Sequence, residues 1–311
     1  MRKDLLTIGE VNTDDIEKIL EKGLCYKKEK EQGKTSCPLI GKSLGMLFEK
    51  ASTRTRVSFE VAMYQLGGQA IFLTPLETQL GRGESIADTA KVLSRYLDGM
   101  VVRTFSQKTL EEFAECSSIP VINGLTDMHH PCQGLSDLFT IKEKKGGFRG
   151  IRLAYLGDGN NVAHSLIEGS SKVGMDIVLA CPKGYEPNKE IVDKAMNDAK
   201  KNGCRIEVLN DPVEAVEDVD VLYTDVWTSM GQESEKKQRI DTFKDYQINQ
   251  QIVNRAKKDV MVMHCLPAYR GKEITAEVID GPNSVVFEQA ENRLYVEKAI
   301  LDIYLGSSLK G

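Results

Sequence analysis

Apolar positions along the chain alternate between two rhythms. Short unbroken apolar runs, such as Ser43–Phe48, Ile151–Leu156, Val219–Thr224 and Val260–Met263, read as buried strands. Between them apolar residues return at helical spacing. Ile16, Ile19, Leu20 and Leu24 define a helix that Thr13-Asp14-Asp15 caps and that runs to about Lys30. Arg54–Leu66 reads as a helix stopped by Gly67-Gly68. Strands at Ala70–Leu73, Gly99–Val102 and Pro120–Ile122 alternate with helices at Ser85–Leu97 and Leu110–Cys116. A helix from about Gln133 to Lys145 follows and ends in Lys144-Lys145-Gly146-Gly147.

Beyond that break the alternation restarts. A helix begins at Asn161, a strand spans Ile177–Ala180, a helix lies near Lys189–Lys201 and a strand covers Arg205–Val208. The chain closes with a strand at Ser284–Phe287 and a helix at Glu291–Leu305. This pattern predicts an α/β fold of two doubly wound domains with mainly parallel sheets. The boundaries place one domain at 1–146, completed by the C-terminal helix at about 291–311, and a second at 147–290. Ligands of such sheets bind beyond the carboxyl ends of the strands, so an active site in the interdomain cleft is the expectation.

Composition narrows the function classes. The 311 residues carry 41 Lys+Arg against 46 Asp+Glu, a net charge of −5, which disfavours nucleic-acid and membrane-surface partners. Seven cysteines, an odd number with no C-x-x-C pair, imply neither a disulfide framework nor a zinc site. Met1–Glu10 has no apolar signal core, and no apolar run approaches the ~20 residues of a membrane span, so a cytoplasmic protein is expected. The four histidines and the single tryptophan fall within the motifs below.

Five clusters follow strands. Ser52-Thr53-Arg54-Thr55-Arg56 opens a helix, where free N–H groups and the helix dipole favour an anion. Capping explains one hydroxyl there, not three alternating with two arginines, so the cluster reads as a phosphate site. In His129-His130-Pro131-Cys132-Gln133, His130 can donate to a carbonyl oxygen and Gln133 offers both a donor and an acceptor. A turn with a surface histidine pair fits those residues equally well. Gly157-Asp158-Gly159-Asn160-Asn161-Val162-Ala163-His164-Ser165 has the strand–Gly-x-Gly–helix form of a dinucleotide site. However, Val162 replaces the third glycine and Cys181 stands where an acidic residue would hold a ribose, which argues against an NAD-linked dehydrogenase. Asn160 and Asn161 can be caps, though one cap needs only one Asn.

Asp225-Val226-Trp227-Thr228-Ser229-Met230-Gly231 offers a carboxylate for an ammonium and a glycine for a mobile loop; an acidic cap beside a buried Trp is the other reading. His264-Cys265-Leu266-Pro267 offers a strand-end thiol beside a histidine, though no Asp or Glu adjoins His264 to orient it, and a packing Cys is the alternative.

Together and in this order, the motifs resemble the aspartate/ornithine carbamoyltransferase family over nearly the whole chain. Ser52-Thr-Arg-Thr-Arg56 and His130-Pro-x-Gln133 are similar to its shared carbamoyl-phosphate signatures. Gly157-Asp-Gly-Asn-Asn161, Asp225-x-x-x-Ser229-Met-Gly231 and His264-Cys-Leu-Pro267 are similar to its ornithine-using branch. The resemblance implies transfer of a carbamoyl group from carbamoyl phosphate to the side-chain amine of ornithine, giving citrulline; acetylornithine or putrescine is the alternative acceptor.

By the same resemblance, Ser52, Thr53, Arg54, Thr55, Gln79, Arg103, His130, Gln133, Cys265, Leu266 and Arg293 hold carbamoyl phosphate. Asn161, Asp225, Ser229 and Met230 hold ornithine, and Arg54, Thr55, Arg103, His130 and Cys265 carry the chemistry. Gln79 is expected to reach a neighbouring subunit's site, which implies a homotrimer or a multiple of one. No cofactor or metal is implied. The family also implies a cis bond before Pro267, which an X–Pro bond permits. Whole-chain charge conceals a local knot of Arg54, Arg56, Arg103 and Arg293, which suits a small anion.

Overall fold

The computed structural model describes residues 3–74, 78–79, 83–228 and 233–306. The chain divides into two compact units, one formed by Met1–Phe139 with Asn292–Gly311 and the other by Thr140–Glu291. Two parallel sheets, one per unit, are the α/β architecture that the alternating rhythms predict.

The first unit contains α1 (Thr13–Glu31), β1 (Ser43–Phe48), α2 (Thr53–Gln65), β2 (Gln69–Leu73), α3 (Ile86–Leu93), β3 (Gly99–Arg103), α4 (Gln107–Cys116), β4 (Val121–Leu125) and the start of α5 (Pro131–Lys145). Its strands lie in the order β2-β1-β3-β4, all parallel. β1, β3 and β4 are buried almost throughout, as the continuous apolar runs demand. β2 is the open edge, and Gln69 and Ile71 face outward. The strand order reverses between β1 and β3, so their carboxyl ends form the ligand-binding switch point of this sheet.

The second unit contains β5 (Arg152–Leu156), α6 (Asn161–Val173), β6 (Asp176–Ala180), α7 (Lys189–Asn202), β7 (Ile206–Leu209), α8 (Pro212–Ala215), β8 (Val221–Thr224), α9 (Lys236–Phe243), α10 (Gln250–Val253), β9 (Met261–His264), α11 (Ala276–Ile279) and the start of α12 (Val286–Leu301). The order β7-β6-β5-β8-β9 is again all parallel, with the switch point between β5 and β8. Its core is aliphatic: Val178, Leu222, Val262, Ile274 and Val286 are buried together.

One expected element is absent in kind. The apolar run at Ser284–Phe287 is not a strand; Ser284 makes an isolated bridge to Val262, and α12 begins at Val286. Val285 donates one backbone bond to Val262 and its carbonyl then receives the Gln289 N–H, so the helix claims residues whose local preference is extended. No helix among the described residues is long and apolar enough to cross a membrane.

Gly159 marks a close approach. A Cβ there would lie 2.3 Å from the Pro187 nitrogen and 2.4 Å from the Glu186 carbonyl carbon, both backbone atoms. Gly159→Ala should therefore destabilise the protein by about 1–3 kcal/mol, seen as a lower urea midpoint with an unchanged slope. An unaltered midpoint would show that the 185–187 segment yields freely.

Candidate active site

In the first unit the switch point gathers cations. The turn after β1 delivers Ser52, whose Oγ caps α2 by accepting the Thr55 N–H at 3.2 Å. Arg54 is exposed on the first turn of α2, among N–H groups that have no partner within the helix. Arg103 ends β3 and is buried; its Nε donates to the Lys50 carbonyl at 3.2 Å and its Nη1 to the Gly124 carbonyl at 3.5 Å. Arg293, on α12, is buried too. Its Nη1 donates to Gln133 Oε1 at 2.8 Å and its Nη2 to Thr55 Oγ1 at 3.3 Å. Nε and Nη2 also grip Glu297 Oε1, at 3.0 and 2.5 Å.

Three cations therefore share one corner, and two of them, Arg103 and Arg293, are buried. Burial, then the charges of Arg293 and Arg54, push the Arg103 guanidinium down to about 10. Burial and then Arg293, Arg103 and Arg54 hold His130 well below its ordinary 6.5. At neutral pH His130 is thus an uncharged imidazole, able to donate one hydrogen bond. Arg293 goes the other way: Glu297 raises its pKa against the desolvation that would lower it. Removing one member of a buried pair of this kind costs about 3–5 kcal/mol.

In the second unit the chemistry is acidic. Asn160 caps α6, its Oδ1 accepting the Val162 and Ala163 N–H groups, while its Nδ2 donates to Asp225 Oδ2 at 2.8 Å. The Cys265 thiol donates to Asp225 Oδ1 at 2.9 Å. Asp225 is therefore oriented from both sides at the end of β8, and Asn161 opens α6 one residue beyond the cap. Nearby, Arg239 is buried and donates from Nη1 to Asp158 Oδ2 at 2.9 Å and to the Trp227 carbonyl at 3.0 Å. Trp227 stacks on Phe243 with ring centroids 5.9 Å apart.

Ligating atoms of Asp225, His264 and Cys265 lie within 4.8 Å of one another, a grouping that sequence spacing does not reveal. Both His264 ring nitrogens are engaged, however: Nδ1 accepts the Leu266 N–H at 2.9 Å and Nε2 meets Glu273 Oε1 at 3.2 Å. A metal would have to displace one of those partners, and of the trio Cys265 and Asp225 are hydrogen-bonded to each other.

The first unit thus brings together Arg54, Thr55, Arg103, His130, Gln133 and Arg293, with Ser52 capping Thr55 and Thr53 exposed at the first position of α2. The second joins Asp225 to Cys265 and to Asn160, with Asn161 next to Asn160 and Leu266 next to Cys265 along the chain; the Leu266-Pro267 bond is cis. Gln79 is exposed. Ser229 and Met230, with Gly231, lie outside the described residues. Arg56 leaves the expected arginine knot, because it pairs with Glu60 at 2.9 Å and lies over the Phe72 ring at 3.8 Å.

Residues missed by sequence reasoning are mostly partners. Glu297 was visible as an i+4 acid after Arg293. Arg239 was hidden in Lys236-Lys237-Gln238-Arg239, which looks like a solvated helix face. Glu273 comes to His264 through a nine-residue turn without periodicity.

Asp158 yields a pH test. Burial outweighs Arg239 and pushes its carboxyl from 3.8 up to about 6. The folded state then binds this proton more tightly than the unfolded chain, so the group's stabilising contribution is present at low pH and is lost as pH rises through about 6. Asp158→Asn removes the titration. Relative to wild type, the variant should gain about 2–3 kcal/mol in urea unfolding between pH 4 and pH 7. A constant difference would contradict the raised value.

Comparison with known proteins completes the picture. Residues 3–143 match the family model described as aspartate/ornithine carbamoyltransferase, carbamoyl-P binding domain. Residues 149–304 match the aspartate/ornithine carbamoyltransferase, Asp/Orn binding domain. The chain is 54% identical to an ornithine carbamoyltransferase of Syntrophus aciditrophicus over 305 residues, covering 98% of this chain and all of that one. Among solved structures it resembles ornithine carbamoyltransferase from Pyrococcus furiosus, with a TM-score of 0.95, 51% identity and coverage of 98% and 97% of the two chains. It also resembles an anabolic ornithine carbamoyltransferase from Campylobacter jejuni, with a TM-score of 0.92, 41% identity and coverage of 97% and 99%. Two switch points, one cationic and one acidic, and matches spanning both units agree: the chain belongs to the aspartate/ornithine carbamoyltransferase family.

Proposed function

We propose that this protein transfers the carbamoyl group of carbamoyl phosphate to the side-chain amine of L-ornithine, releasing L-citrulline and phosphate. The observation that carries the reading is the cation cluster at the β1/β3 switch point. There Ser52, Thr53, Arg54, Thr55 and Arg103 border one corner, with His130, Gln133 and Arg293 beside them. Such a corner suits a dianionic phosphate joined to a polarisable carbonyl. Asn161 and Asp225 take ornithine's carboxylate and α-ammonium ends, with Ser229 and Met230 completing that side.

Charge dictates the order of events. An alkyl amine has a pKa of about 10, so the nucleophilic form is scarce at neutral pH. Arg54, Arg103 and Arg293 disfavour a further cation and so favour loss of that proton. The amine nitrogen then attacks the carbamoyl carbon. Thr55, Arg103 and His130 stabilise the oxyanion, each well-placed donor contributing about 3–4 kcal/mol. The C–O bond to phosphate breaks, and phosphate leaves with the amine proton. Cys265 and the Leu266 backbone border the reacting amine and carbamoyl group.

The working form is a homotrimer or a multiple of one. Val57 and Tyr64, seven apart on α2, are 50% and 81% exposed, and Ile71 on the open edge strand is 40% exposed. An unpartnered apolar face beside an open edge favours self-association. The cysteines, none of them in a disulfide, suit a reducing cytoplasm, and the anabolic label of the Campylobacter relative favours arginine biosynthesis as the direction.

A colorimetric ureido-product assay with carbamoyl phosphate against ornithine, acetylornithine, putrescine and aspartate should give product with ornithine; preference for another amine refutes the acceptor. Arg54→Ala should cut kcat/KM by about 10²–10³-fold while melting stays cooperative. Asp225→Asn should raise the ornithine KM by about 10–100-fold and leave that for carbamoyl phosphate nearly unchanged. Equal loss for both substrates contradicts the assignment. Sedimentation should give three chains or a multiple; a monomer refutes the oligomer.

A further inference from the structure

The turn after β9 is held by a buried pair to which the proposed chemistry assigns no task. His264 is 0% exposed and Glu273 is 1% exposed. His264 Nδ1 accepts the Leu266 N–H at 2.9 Å, so the ring proton resides on Nε2 and is donated to Glu273 Oε1 at 3.2 Å. The same Oε1 accepts the Tyr269 N–H at 2.5 Å. At its other end His264 is pinned by its own N–H, which donates to Gln289 Oε1 at 2.9 Å. The imidazole is thus a strut between the start of the turn and its far side.

What the strut fixes is the peptide joining Cys265 to Leu266. The N–H of that peptide is the one His264 accepts, and Leu266 sits at φ +56°, a left-handed conformation that a non-glycine residue adopts only when its surroundings impose it. One residue earlier, the Cys265 thiol donates to Asp225. Simple turn closure does not require these groups, since burying a carboxylate beside an imidazole is costly unless each lone pair is met, and apolar packing closes turns without that cost.

We propose that His264 and Glu273 are positioning residues for the transfer step: the Glu273-buttressed imidazole sets the Cys265–Leu266 peptide, and through it the thiol and backbone groups beside the reacting amine. This rests on the reading that Cys265 and Leu266 border the carbamoyl group. The two His264 nitrogens have different tasks, and amide side chains separate them. Asn can reproduce the Nδ1 acceptor facing Leu266, whereas Gln can reproduce the Nε2 donor facing Glu273.

The test is steady-state citrulline formation by His264→Asn, His264→Gln, Glu273→Ala and Glu273→Gln, with melting temperature measured on each. His264→Gln should lose about 10–100-fold in kcat relative to His264→Asn, with the carbamoyl-phosphate KM little changed in both. Glu273→Ala should show a kcat loss of about the same order, and Glu273→Gln should recover most of it, because its Oε1 can still accept from both His264 and Tyr269. Equal kcat in the two His264 variants, or a kcat loss that simply follows melting temperature, overturns the proposal. If the His264 variants do not fold, the Glu273 pair decides: equal activity of Ala and Gln overturns it. A wild-type protein that forms no citrulline from ornithine refutes the underlying reading instead, whatever the variants do.

Discussion

Burying like charges without neutralising them is the constraint on which the first unit depends. Arg103 and Arg293 are both buried, and the Arg293 charge helps to lower Arg103, yet among the described residues only Arg293 of the two has an acid, Glu297, at hand. Arg103 donates to the carbonyl oxygens of Lys50 and Gly124, which occupy two of its five N–H groups, and no acid among the described residues pairs with it. That arrangement is expensive in an empty corner and becomes favourable when an anion arrives. The Arg293–Glu297 pair fixes the geometry, with Thr55 and Gln133 hung from the same guanidinium. In the proposed reading Arg103 supplies the attraction for the phosphate.

Backbone topology places this constraint where a ligand can exploit it. Both sheets reverse strand order once, and the two loops at each reversal carry some of the candidate residues: 49–52 and Arg103–Thr104 in one, 157–160 and Asp225–Thr228 in the other. A helix follows each first loop, so its N–H groups face the same opening. Ser52 and Asn160 hold those helix starts by the same capping device but differ in what they add. Ser52 caps Thr55 and leaves the remaining donors to an anion, whereas Asn160 spends its amide on Asp225.

Much of this was legible from the chain. Continuous apolar runs gave β1, β5, β8 and β9 because buried parallel strands have no polar face to blur the pattern. The site motifs were legible because each sits in a loop after such a strand. What failed to show were long-range partners. Val285-Val286-Phe287 looks extended locally, and only tertiary packing turns it into the start of α12. Arg56 alternates with Arg54 and so seemed equivalent, but one further step around α2 turns it to Glu60 and Phe72. Glu273 and Arg239 carry no periodic signal, since their roles come from where a turn or a helix returns to the sheet.

In the proposed reaction, opposite signs in the two units also bear on why the acceptor is a diamine. A diamino acid must keep one nitrogen protonated for recognition and present the other unprotonated for attack. A single environment shifts both nitrogens in the same direction. Asp225, held by Asn160 and Cys265, stabilises a cation, whereas Arg54, Arg103 and Arg293 oppose one. In the proposed reaction the same cations that hold His130 uncharged also attract phosphate and favour the free amine, so phosphate affinity and nucleophile activation are one electrostatic effect acting on different groups. Neutralising one of those arginines would weaken both at once, which distinguishes this arrangement from a site with a separate general base.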